Sequence, residues 1–84
     1  MATLTSLRNI GKELERKLQA VDITTAAELK ALGSEAAFVR LKLRDPSVCL
    51  VHLYALEGAV SDVEYNELQD DVKKRLKGIN DRLK

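Results

Sequence analysis

The sequence predicts an all-α fold, a compact five-helix single domain spanning residues 1–84. Three observations carry that expectation. Nearly every apolar residue recurs at three- and four-residue steps, and the β-branched alternation of a half-buried strand is absent. Helix-start and helix-stop residues punctuate the chain at short intervals. The 84 residues, 45% hydrophobic and 32% charged, suffice for one small soluble core and no second one.

The first helix is expected over residues 11–21, with Leu14, Leu18 and Val21 on one stripe and Lys12, Arg16 and Gln19 opposite. Glu13 and Lys17 stand as an i,i+4 pair. Thr25 followed by Glu28 is a capping box that opens a second helix, and Gly33 should close it as a left-handed cap. Ile23, Ala26, Leu29 and Leu32 form its buried side. Ser34 begins a third helix that carries Ala37, Phe38 and Leu41 inward. Asp45 and Pro46 read as a helix start, because the carboxylate can cap and proline loses nothing at the first helical position. The run that follows, PSVCLVHLYALEGAV, is apolar almost all round, which places it at the centre of the fold. Gly58 there permits either a close helix contact or termination. In the last helix Tyr65, Leu68, Val72, Leu76, Ile79 and Leu83 make a narrow stripe. Its start is ambiguous between two capping signals, Ser61 with Glu64 and Asn66 with Gln69.

The net charge of +1 hides a polarity: residues 1–45 carry +2, residues 46–72 carry −6 and residues 73–84 carry +5. A domain that holds nucleic acid chiefly by neutralising phosphates would be more basic, so any such contact must be local. No apolar run approaches the ~18 residues of a membrane span, so no membrane partner is expected. The N-terminus lacks the pattern of a signal peptide and the single cysteine excludes an internal disulfide. Both point to the cytoplasm.

Catalytic and metal chemistry find little support. Cys49 and His52 share a helix face, but no other Cys or His exists to complete a zinc set. A small buried thiol beside a partly buried imidazole is the simpler reading. Glu57, Asp62, Glu64 and Glu67 match no calcium loop and read as a solvated acidic patch. Asp70 with Lys74 and Asp71 with Arg75 would pair along the last helix. No cofactor is expected, and the chain is not expected to be an enzyme.

The stretch SLRNIGKELERKLQAVDITTAAEL differs. A bend at Leu7 to Gly11, an amphipathic helix, then DITTAAEL leading into another helix make a helix-hairpin-helix-like N-terminal half. Such a bend points the free N–H groups of a helix start toward a DNA phosphate. The candidate binding residues, for nucleic acid or a protein partner, are Arg8, Asn9, Ile10, Gly11, Lys12 and Arg16. Hairpins of this kind usually carry glycine at both ends of the bend. Here position 9 is Asn, which also tolerates left-handed backbone. A Gly11 in a left-handed or tight position would make Gly11→Val destabilising by about 1–3 kcal/mol. A hairpin used only for packing is the alternative.

The segment LRNIGKELERKLQAVDITTAAELKALG together with VCLVHLYALEGAVSD resembles the C-terminal domain of the TfoX/Sxy competence regulators of bacteria, over about Leu4 to Ile79. The most specific parts are Leu7, Asn9 and Gly11; Asp22, Ile23, Thr25 and Leu29; Leu32 with Gly33; and Ala55 to Ala59. The resemblance implies a non-enzymatic regulator of DNA uptake and transformation genes. Its expected partners are the transcription machinery, or a transcription factor such as the cyclic-AMP receptor protein, and DNA weakly through phosphates. The alternative is a protein-interaction or dimerisation module without DNA affinity. The full regulators also carry an N-terminal domain, so this chain corresponds to a stand-alone relative or an excised piece.

Overall fold

In the computed structural model, which describes residues 3–83, the helices run α1 (Lys12–Gln19), α2 (Ala26–Leu32), α3 (Ser34–Arg44), α4 (Leu50–Ser61) and α5 (Asp70–Arg82). Short 3-10 turns at Leu4–Ser6 and Tyr65–Glu67 precede α1 and α5. An isolated bridge between Thr3 and Thr25 is the extent of extended pairing among the described residues. The apolar helix α4 sits between α3, α5 and the second 3-10 turn, while α1 and α2 pack on α3 and on the first turn. Leu18, Leu29, Phe38, Leu53, Leu56 and Leu76 are fully buried at the shared core. The radius of gyration, 11.6 Å, is close to the roughly 12 Å of a globular chain this long.

Local signals place the first three helices. Thr25 caps α2 by accepting the Glu28 N–H at 3.1 Å, and the Glu28 carboxylate accepts from Thr24 and Thr25 hydroxyls at 2.6 and 3.2 Å. Gly33 separates α2 from α3 with φ +90° and ψ 162°. Its φ is positive as expected, but its ψ lies outside the left-handed helical basin. The glycine serves both as the end of α2 and as the cap of α3.

The starts of α4 and α5 differ from expectation. Asp45 does not open α4. Its Oδ1 accepts from the Ser47 N–H at 3.0 Å and the Ser47 hydroxyl at 2.5 Å, making a turn. Lys42 closes that turn by donating to the Pro46 and Val48 carbonyls at 3.1 and 2.7 Å. The helix begins after Cys49, where the His52 ring nitrogen Nδ1 accepts the Cys49 N–H at 3.0 Å. Cys49 is therefore an exposed cap residue, not a buried thiol. The stripe expected from Tyr65 is likewise split. Leu68 and Gln69 are extended (φ −62°, ψ 141° and φ −67°, ψ 155°), so α5 starts at Asp70 and neither Ser61 nor Asn66 caps it.

Ion pairs also cross between elements where local ones were expected. Lys17 donates to Asp45 Oδ2 at 2.6 Å, which leaves Glu13 with a local contact to Arg16 at 3.8 Å within α1. Arg75 reaches Glu57 at 3.5 Å. Glu57 also accepts the hydroxyls of Ser34 at 2.6 Å and Ser61 at 3.1 Å, so this carboxylate ties α3, α4 and α5 together.

Asp45 gives a pH test. The hydrogen bond from Lys17, then those from Ser47, hold its carboxyl well below the usual carboxylate range. A depressed carboxyl stabilises the fold above its unfolded value of about 4 and loses that contribution as pH falls further. Asp45→Asn should therefore lower the thermal midpoint at neutral pH, with the gap to wild type narrowing below about pH 4. A gap that stays constant from neutral pH to about pH 2 would show that the ion pair contributes nothing.

Candidate functional site

Residues 7–11 form the expected bend. The Leu7 N–H donates to Leu4 O at 3.0 Å and the Ile10 N–H to Leu7 O at 3.4 Å, while Asn9 turns the chain with φ +70°. Ile10, 5% exposed, drives into the core and anchors the bend from beneath. Gly11 follows in extended conformation, φ −92° and ψ 179°, as the N-cap of α1. Nothing lies within 4 Å of where its Cβ would sit. The expectation that Gly11 is left-handed or crowded is corrected: Asn9 carries the positive φ, and the glycine is open to solvent.

The six candidate residues divide between two sides of this bend. Gly11, Lys12 and Arg16 face outward, and no side chain caps the first amides of α1. Those amides, with Lys12 beside them and Arg16 one turn further along, suit an anion, although Glu13 and Glu15 in the first turn oppose one. Arg8, Asn9 and Ile10 are turned to the protein itself. Arg8 donates through Nε to Asp62 at 2.9 Å and through Nη1 to Glu64 at 3.1 Å. These two carboxylates raise its pKa above the ordinary arginine value and occupy its charge. Asn9 donates through Nδ2 to the Val63 carbonyl at 3.0 Å and accepts the Tyr65 N–H at 3.2 Å.

The hairpin is thus fastened to the connection between α4 and α5. Asp62, Val63, Glu64 and Tyr65 complete the arrangement, and sequence reasoning did not connect them with the bend. The acidic character of Asp62 and Glu64 was a visible signal, but their cation lies 54 and 56 positions away. Gly58 completes the joint from α4, since a Cβ there would collide with Asn9 Nδ2 and the Val63 carbonyl oxygen. Beside the joint lies an open groove of 540 Å³ whose lining includes Leu14, Val51, Ala55 and Tyr65, with Glu13 and Glu64 at its margin.

Other candidate chemistry resolves into structure. Cys49 Sγ lies 3.5 Å from His52 Nδ1, within the helix cap. Among the described residues no three His, Cys, Asp or Glu side chains are grouped to hold a metal ion. No described helix is long and apolar enough to cross a membrane.

Comparison with known proteins agrees with this architecture. Residues 1–79 match the profile of the TfoX C-terminal domain. A solved structure of an uncharacterized protein from Listeria monocytogenes, in a triclinic crystal form, is 45% identical with a TM-score of 0.95, covering 98% of this chain and 93% of that one. A second, of a protein of unknown function from Listeria monocytogenes in a tetragonal form, is 44% identical with a TM-score of 0.93, covering 96% and 99%. No curated protein matches the chain.

Proposed function

The chain belongs to the TfoX C-terminal domain family, and from that premise we propose that it is a non-enzymatic regulatory binding domain acting on genes for DNA uptake and transformation. The observation that carries the reading is the family match over residues 1–79, nearly the whole chain. The domain works in the cytoplasm by contact with the transcription machinery, or with a transcription factor such as the cyclic-AMP receptor protein. Deleting its gene should lower the transcripts of DNA-uptake genes, and restoring the gene should recover them. Transcripts that do not respond would overturn the regulatory role.

A DNA contact, where it is made, belongs to the outward side of the bend: the uncapped amides of α1 with Lys12 and Arg16. Arg8 is a poor contact residue because Asp62 and Glu64 already hold it. Each neutralised phosphate contributes about −0.9 to the slope of log affinity against log salt, so a few contacts give weak, sequence-independent binding with a shallow slope. Lys12→Gln with Arg16→Gln should flatten that slope by about two without unfolding the domain. Gly11→Ser should weaken binding too, since a serine hydroxyl would satisfy one of the amides, and should raise stability by a few tenths of a kcal/mol, roughly. Fluorescence anisotropy with short duplexes at two low salt concentrations reads both effects. Absence of salt-sensitive binding by the wild type favours the second reading, a protein-interaction or dimerisation module. The engagement of Arg8 and the presence of Glu13 and Glu15 at the start of α1 speak for that second reading.

A further inference from the structure

We propose that the groove between the hairpin and α4 receives Leu43 of a second copy of this chain, giving a two-fold dimer. The proposal deepens the protein-contact part of the function above by naming the surface and its occupant.

Three large hydrophobic side chains stand exposed among the described residues: Leu43 at 82%, Val51 at 56% and Tyr65 at 45%. Val51 and Tyr65 line the same 540 Å³ groove, floored by Leu14 and Ala55. Isolated exposed apolar residues are ordinary, but two on one concave surface make a place that a third, standing 82% exposed, can fill. Leu43 projects from the last turn of α3 between Lys42 and Arg44.

Charge follows the same division. Of the six carboxylates in residues 46–72, Glu64 is the one that lines the groove. Glu13 and Glu64 stand at its margin. Glu64 already meets Arg8 at 3.1 Å, whereas Glu13 is 75% exposed and touches Arg16 at only 3.8 Å. Arg44 is exposed and makes no ion pair among the described residues, so it is the cation that arrives beside Leu43 to meet Glu13. Glu13 is thus the carboxylate at the groove's margin left to attract the cation beside Leu43.

Leu43 lies in the last turn of α3 and Val51 in the first turn of α4, on either side of the short connection 45–49, and these two helices pack together. Leu43 and the Val51 side of the groove therefore lie toward the same end of the helix pair. In a two-fold interface each copy contributes the same patch, so each inserts its Leu43 and receives its partner's.

Sedimentation equilibrium on the chain, from about 10 µM to 1 mM, tests the proposal. The wild type should show a concentration-dependent monomer–dimer equilibrium. Leu43→Asp should raise the dissociation constant at least about tenfold, as loss of a central apolar anchor does, with helicity and thermal midpoint unchanged because the side chain is exposed. Glu13→Arg should weaken the dimer, and adding Arg44→Glu should restore it. A mixture of Leu43→Asp and Val51→Asp chains, each monomeric alone, should recover association through one intact contact. A wild type that stays monomeric at about 1 mM, or a Leu43→Asp chain that dimerises like wild type, overturns the proposal. Neither result touches the transcript test, and unresponsive uptake-gene transcripts would leave the dimer standing.

Discussion

Gly58→Ala should lower the thermal midpoint by about 12–24 °C, the largest effect expected of any single methyl group in this domain. The expectation comes from what surrounds the position. A Cβ on Gly58 would collide with Asn9 Nδ2 and with the carbonyl oxygen of Val63. The first is a side-chain atom that can swing away at the cost of its hydrogen bonds. The second is backbone, held because the Val63 N–H donates to Gly58 O at 2.8 Å across the end of α4. Forced overpacking of this kind costs about 3 kcal/mol, and in a domain of this size each kcal/mol moves the midpoint by about 4–8 °C. Thermal unfolding followed by circular dichroism decides it. A midpoint within about 2 °C of wild type would mean that the joint yields freely.

Asn9→Ala should be comparably damaging, about 2–4 kcal/mol, by two mechanisms that can be separated. The residue holds φ +70°, which Asn tolerates and Ala resists by roughly 1 kcal/mol. Its amide also bridges the Val63 carbonyl and the Tyr65 N–H, at 3.0 and 3.2 Å. Leaving partly buried polar partners unmet costs about 1–3 kcal/mol. Asn9→Gly should recover the backbone part and keep the hydrogen-bond loss, so its midpoint should fall between those of wild type and Asn9→Ala. Equal midpoints for the Gly and Ala variants would assign the whole effect to the hydrogen bonds. Because Asn9 and Gly58 meet, their substitutions should not add. In the Asn9→Ala background one of the two collisions is gone, and Gly58→Ala should cost measurably less. Strict additivity would show that the two residues do not share a joint.

Both predictions fall on residues visible in the sequence, and only one of the two roles was legible there. Asn at the bend was read as compatible with left-handed backbone, which is a property of its own side chain. That the same amide closes onto residues 63 and 65 could not be read, because no local pattern announces a partner more than fifty positions away. Arg8 shows the same limit with a larger consequence. As one charge in a basic stretch it read as a phosphate ligand, and folding brings Asp62 and Glu64 against it. Gly11 errs in the other direction: a glycine in a bend suggests special geometry, yet the neighbouring Asn takes the positive φ and leaves Gly11 an ordinary extended N-cap.

What the sequence determined by itself is therefore what depends on neighbours within about one helical turn. The all-α class, the apolar stripes of α1 and α3, the Thr25 cap, the break at Gly33 and the central place of α4 all follow from periodicity, capping hydrogen bonds and backbone preference. Tertiary structure decided that Asp45 does not open α4, which carboxylates Arg8, Lys17 and Arg75 meet, and which face of the hairpin stays open. Asp45 and Pro46 could start a helix by their own chemistry, but Lys17, 28 positions earlier, takes the carboxylate at 2.6 Å while its other oxygen turns the chain at Ser47. The physical reason is common to these cases. A charged or polar side chain has several acceptable local partners of nearly equal energy, and the choice falls to whichever group the packed core brings within hydrogen-bond reach.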